Sequence, residues 1–156
     1  MPAALFENAW PVAMIASALI DTGALLALLD RDDRWHRACA EAFESLRLPL
    51  LTSEAVLTEI FHLVGDYQRQ VDAAWQLVRS GAITIGSITD ADLPSLEALM
   101  RRYRGRPMDF ADATLVHLAH RESLSLILTI DHNDFETYRI RGRQGFRIVP
   151  PRTAGA

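Results

Sequence analysis

Lysine is absent from this 156-residue chain: all 16 of its basic residues are arginine. That absence removes P-loop phosphate binding, which sets a Lys on the phosphates, and Schiff-base chemistry, which needs a Lys amine. A receiver-type phosphoacceptor domain loses its usual Lys in the same way. Cysteine is nearly absent. With Cys39 alone there is no intramolecular disulfide and no cysteine-rich zinc site, and a small core residue is its simplest role. No Gly-rich phosphate turn follows the first strand-like run, so dinucleotide binding has no foothold. The apolar segment "AWPVAMIASALI" has twelve residues, too few to span a bilayer. The first basic residue of the chain is Arg31, and Glu7 stands where the positive region of a signal peptide belongs. A cytoplasmic protein with no membrane segment is the expectation.

What is present is ordinary for a globular domain: 49% hydrophobic residues, 23% charged, and a formal net charge of −4. The length points to one domain, assigned to residues 15–150. Residues 1–14 read as a loose extension, with Met14 ahead of "IASALID" as a second candidate start, and residues 151–156 as a frayed tail. Apolar runs alternate with helical patterns. "IASALI" enters Asp21, and "TGALLALL" continues as a helix with Thr22 as its cap; "LPLLT" precedes a helix capped by Ser53 and stopped at Gly65. "AITIGS" is followed by Thr89 and Asp92, spaced as a capping box. "LILTIDHNDF" carries a buried strand into Asp131, and "FRIVP" forms a last strand. This alternation predicts a three-layer α/β/α sandwich around a parallel sheet.

Ligands of such sheets bind beyond the carboxyl ends of the strands, where Asp21 and Asp131 both fall. Two helices bring further acids. Glu59 borders the apolar stripe of Val56, Ile60 and Leu63, and Asp112 is set among Ala111, Ala113 and Leu115, with Asp109 one turn earlier. Gathered carboxylates repel, so a shared site must protonate them or bind cations. Mg²⁺ suits a few carboxylates plus waters, and two ions about 3.5–4 Å apart promote in-line phosphodiester displacement. Each acid also has a plain reading: Asp21, Asp109 and Asp131 as helix N-caps, and Glu59 as a rim carboxylate paired to an Arg. Asp134 is left with the plain reading.

In order, "LIDTGALLALLDRDDRWHRAC", "SEAVLTEIFHLV", "MDFADATLVHLAHRE" and "LILTIDHNDFETYR" resemble the PIN-domain ribonucleases, especially the bacterial VapC-type toxins. The resemblance covers roughly Ile15 to Pro150. It implies a central sheet of four or five parallel strands and Mg²⁺- or Mn²⁺-dependent RNA cleavage. It further implies a homodimer and an antitoxin partner. The family's acidic residues fall on Asp21, Glu59, Asp112 and Asp131, as catalytic and metal-binding groups. Its hydroxyl before the last acid falls on Thr129, and Asp109 would support the site from behind. Gly23 stands where relatives often have Ser or Asn, a departure expected to matter little.

Basic residues cluster in "RRYRGR" and "YRIRGRQGFR", marking Arg104, Arg106, Arg141 and Arg143 as candidate RNA contacts, with Tyr103 and Tyr138 available for stacking. His117 and His120 lie one turn apart but have no third soft ligand, so ordinary histidines are the better reading. His132 beside Asp131 is a weaker candidate for a substrate phosphate. Trp35, Trp75 and Phe61 read as core or as a dimer surface. Two alternatives stand beside the nuclease. A haloacid-dehalogenase-like phosphatase lacks its second Asp here, because "DTGAL" replaces D-x-D-x-T. A non-catalytic docking module of the same fold would have no use for crowded carboxylates.

Overall fold

A computed structural model describes residues 15–106 and 108–155. The extension assigned to residues 1–14, with its second candidate start, lies outside the described residues. Five strands form one sheet: β1 (Leu19–Ile20), β2 (Leu50–Ser53), β3 (Ile83–Gly86), β4 (Leu126–Leu128) and β5 (Arg147–Val149). Every pairing is parallel, in the order β3-β2-β1-β4-β5. The expected parallel sheet is therefore present with five strands. β1 is central, and Leu19 lies opposite both Leu51 and Ile127. The chain builds outward from β1 to β3, then returns to place β4 on the other side. That reversal creates the crevice in which ligands of open α/β sheets bind.

Among the described residues seven α-helices flank the sheet: α1 (Thr22–Leu29), α2 (His36–Ser45), α3 (Glu54–Val64), α4 (Gln68–Arg79), α5 (Leu93–Arg102), α6 (Phe110–Glu122) and α7 (His132–Thr137). α6 is buried along most of its length, from Ala111 to Val116 and at Leu118 and Ala119. Its small residues allow this, since a helix apolar on nearly every side must sit inside. Thr114 Oγ1 lies 2.7 Å from Ser53 Oγ, joining α6 to the start of α3. Ser53 also caps α3 by accepting from Val56 N, and Gly65 ends it, as the spacing predicts. The Thr89–Asp92 capping box forms too, on a 3-10 turn that leads into α5. Among the described residues no helix is long and apolar enough to cross a membrane.

Two local expectations change. The cap of α1 is Asp21 rather than Thr22, because the Asp21 carboxylate accepts the Thr22 amide at 2.7 Å. The tail is not frayed through residue 155: Arg152–Gly155 forms a 3-10 turn. A Cβ on Gly155 would lie 2.2 Å from the Trp35 ring, so only glycine permits this approach. Trp35 is thereby core, at 6% exposure, and Cys39 is fully buried as expected. Leu19 is fully buried between two parallel neighbours, so Leu19→Ala is expected to cost about 2–5 kcal/mol in denaturant unfolding. A loss below about 1 kcal/mol would show that the central strand does not organise the core.

Candidate active site

Asp21, Asp109 and Asp131 are each the N-cap of a helix, so the plain reading of all three is correct. Capping and site-building coincide because the helix starts converge on one edge of the sheet. α1 and α7 begin beyond the carboxyl ends of β1 and β4. α6 runs back toward the start of β4, which places its own N-terminus at that same edge. A cleft of about 440 Å³ there is lined by Asp21, Glu59, Asp109, Asp112, Asp131 and Asp134, with Thr22, Gly23 and Ile130. The four acids marked from the sequence come together, with Asp109 beside them. Asp134, left with its plain reading, joins them, since α7's first turn brings it round to the cleft and its amide donates to Asp131 Oδ1 at 3.3 Å.

Neutral donors hold the carboxylates in place. Asp21 accepts from Thr22 N through Oδ1 and from Thr129 Oγ1 through Oδ2, at 2.7 and 2.9 Å. Thr129 Oγ1 in turn accepts the Asp131 amide at 3.0 Å, so one hydroxyl ties the ends of β1 and β4. Thr22 Oγ1 donates to Glu59 Oε2 at 2.5 Å. The buried Tyr138 hydroxyl donates to Asp112 Oδ2 at 2.8 Å. Tyr138 was expected among RNA-stacking aromatics. It is instead fully buried, edge-on to Tyr103 and Phe135, because it closes the core behind Asp112. Tyr103 is similarly buried, its hydroxyl accepting from Arg139 N at 2.9 Å. Nothing in the sequence spacing pairs Tyr138 with Asp112, 26 residues away.

One oxygen on each of Glu59, Asp112 and Asp131 accepts no hydrogen bond among the described residues. All three residues line the cleft, where these oxygens remain free to take a ligand. The donor set is oxygen only, which fits a hard divalent cation. Among the described residues no three His, Cys, Asp or Glu side chains are grouped so as to hold a metal ion as they stand, so three carboxylates would reach one ion only by drawing together or through water. An ion in this cleft would therefore keep water in part of its shell, as Mg²⁺ does.

The other marked residues are dispersed. Arg106 stands at the rim, donating to Asn133 O at 2.6 Å and lying 3.8 Å from Asp134. Arg104 borders an apolar hollow with Leu93, Met100 and Phe110. Arg141 donates to Ser123 Oγ and His120 O at the opposite end of α6 from Asp112. Arg143 is exposed. His117 pairs with Asp92 at 2.9 Å and His120 is exposed, in line with their ordinary reading. His132 is buried with ring nitrogens at 3.1 and 2.9 Å from Ile130 O and Pro150 O, so it faces backbone and not a substrate phosphate. Gly23 matters more than expected: a Cβ there would meet Ile130 Cγ1 at 2.8 Å, so a side chain at this position displaces the cleft wall.

A parallel sheet with a carboxylate cleft at its crossover defines the class. Residues 18–140 match the family model of the PIN domain, and the chain belongs to that family. It is 31% identical over 135 residues to Ribonuclease VapC26 of Mycobacterium tuberculosis, covering 85% of this chain and 99% of that protein. The fold is similar to that of Mycobacterium tuberculosis VapC20, a sarcin–ricin loop cleaving toxin. There the TM-score is 0.68 at 21% identity, over 75% of this chain and 92% of that one. A toxin–antitoxin complex from Klebsiella pneumoniae gives a TM-score of 0.60 at 21% identity, over 78% and 92%.

Burial is the largest influence on the two innermost acids. It raises Asp21 to about 6 against its hydrogen bonds from Thr129 and Thr22, with Asp131 and Asp109 adding to the rise. It raises Asp112 to about 8, helped by the Asp21 charge and opposed by Tyr138. The ordinary value for both is 3.8, so the folded chain holds these protons more tightly than the unfolded chain. Their contribution to stability is fully present below 3.8 and is lost as pH rises through about 6 and then about 8. Without divalent cation, Asp112→Asn is expected to unfold at higher temperature than wild type at alkaline pH. A gap of about 1–3 kcal/mol should open between about pH 5 and about pH 9. Calorimetric curves that stay parallel across that range would show that Asp112 is not held protonated.

Proposed function

We propose that this chain is a divalent-metal-dependent endoribonuclease, the toxin of a type II toxin–antitoxin pair, with Asp21, Glu59, Asp112 and Asp131 as its catalytic and metal-binding residues. The observation that carries this reading is the meeting of these four carboxylates, from four separate stretches of chain, at the sheet's crossover. The ribonuclease name of the VapC26 relative supports the reaction class, and the Klebsiella complex supports a protein antitoxin. The surface offers a place for such a partner or for a second copy. The Phe61 and Trp75 rings pack with centroids 4.8 Å apart, tilted by 40°, and Trp75, Leu63 and Tyr67 are half or more exposed on and between α3 and α4.

Hydrolysis sets a water oxygen on phosphorus, breaks one P–O bond to ribose and returns a proton to the departing oxygen. Mg²⁺ or Mn²⁺, when bound, supplies the positive charge that lets a phosphodiester enter an acidic cleft. Asp21 is the fixed centre: two donors orient its carboxylate, and its burial keeps bulk water from competing. Thr129 positions Asp21 and the Asp131 backbone together. Thr22 holds Oε2 of Glu59 and Tyr138 holds Oδ2 of Asp112, leaving Oε1 and Oδ1 without a hydrogen bond among the described residues. Burial raises Asp112 to about 8, so a cation that this carboxylate helped to hold would compete with its proton near neutral pH and would bind more tightly as pH rises.

A mixed RNA pool incubated with Mg²⁺, Mn²⁺ or EDTA tests the reading. Wild type is expected to cut only with a divalent ion, and Asp21→Asn to lose at least about 100-fold in rate, in line with loss of a group that holds transition-state charge. Cleavage that persists in EDTA, or in Asp21→Asn, would overturn it.

A further inference from the structure

Beside the acidic cleft lies a second hollow of about 350 Å³, bordered by Arg34, Trp35, Asn133 and Arg152. Ile130 and Asp131 line both spaces, so one wall separates them. Trp35 is the floor on which this hollow is built. Its ring lies 5.5 Å from the His132 ring, carries the Arg34 guanidinium at 5.7 Å and takes the backbone of Gly155 directly against its edge. The last contact holds the 3-10 turn that presents Arg152.

Of the two guanidiniums, one is uncommitted and the other is held by exposed partners. Arg34 makes no ion pair or hydrogen bond through its side chain among the described residues, and only the indole face holds it. Arg152 donates to Asn133 Oδ1 at 3.1 Å and pairs with Glu136 at 2.9 Å. Both partners of that pair are about half exposed, so the pair contributes little and can be exchanged. Arg106 reaches Asn133 O from the other side of α7. Three cations therefore surround the first turn of α7 next to Asp131, in a chain whose net charge is −4. Planar guanidiniums with uncommitted donors match phosphate oxygens, and they stand where a strand leaving the cleft would pass.

We propose that this hollow is a nucleotide subsite, in which Arg34 and Arg152 hold the backbone phosphate of a single-stranded RNA neighbouring the scissile bond. The inference rests on the nuclease reading for its register, but binding tests it without cleavage. It also reassigns the RNA contacts: these two arginines lie outside both sequence clusters and meet at the cleft only through the fold of the tail.

The probe is a fluorescein-labelled mixed-sequence RNA oligonucleotide of about ten nucleotides, within the span of single-strand sites. Its anisotropy is titrated in EDTA at several salt concentrations, and its cleavage with Mg²⁺ is followed in parallel. Arg34→Gln with Arg152→Gln is expected to weaken binding and raise KM about tenfold or more, with kcat within about twofold, if only ground-state binding is lost. The slope of log affinity against log salt should fall by about 0.7 per lost phosphate contact. Arg34→Lys should retain most of the slope, and Arg141→Gln, at the far end of α6, should leave it unchanged. A purely structural role for Arg152 would lower the melting temperature without altering the slope. Unchanged KM and slope in the double variant, or an equal change in Arg141→Gln, overturn the subsite and leave the nuclease standing. Salt-sensitive binding by wild type without metal-dependent cleavage overturns the nuclease reading instead, and the slopes still decide the subsite. A wild type that neither binds nor cuts overturns both.

Discussion

Six carboxylates share one small cleft, and their mutual repulsion is the constraint to which the rest of the site is adjusted. Among the described residues the protein sets no cation in an ion pair with Asp21, Glu59, Asp112 or Asp131; Arg106 lies 3.8 Å from Asp134, and Arg34 and Arg152 border the hollow on the other side of Asp131. It holds the acids with hydroxyls and amides instead: Thr129, Thr22, Tyr138 and the first-turn N–H groups of α1, α6 and α7. Neutral donors fix geometry without cancelling charge. The negative potential is left uncancelled, and burial raises the two innermost acids, Asp21 to about 6 and Asp112 to about 8. Carboxylates crowded in this way cost the fold stability, a common trade of stability for function.

The fold makes that crowding possible. Parallel strands put all their carboxyl ends on one edge, and each helix that follows a strand begins there. A helix N-terminus offers unpaired amides, and an Asp placed to accept them is both cap and site residue. The two readings of Asp21, Asp109 and Asp131 were never in competition. What separates these acids from ordinary caps is convergence: three helix starts and the middle of α3 open onto one space. Gly23 and Gly155 mark where backbone must pass close to Ile130 and Trp35 for that space and its neighbour to keep their shape.

The rim has a different logic. Several arginines here are engaged with oxygens of their own chain, as Arg141 is with His120 O and Ser123 Oγ and Arg121 with Asp92. Clustering in sequence therefore says little about which cations face a ligand. The exposed apolar and aromatic side chains Leu63, Tyr67 and Trp75, on and between α3 and α4, are not among the residues that line the cleft.

The sequence by itself determined the layer architecture, because strand-length apolar runs alternating with capped helices have few other ways to bury themselves. It also marked Asp21, Glu59, Asp112 and Asp131, since acids at strand ends or beside apolar stripes conflict with simple burial. Only the tertiary structure decided which neighbours serve them. Tyr138 reaches Asp112 across 26 residues, Asp134 turns into the cleft on α7, and the tail folds onto Trp35 to bring Arg152 beside Asp131. Local periodicity records which face of an element is buried. Contacts between elements depend on how those faces pack, and no spacing within one segment encodes that.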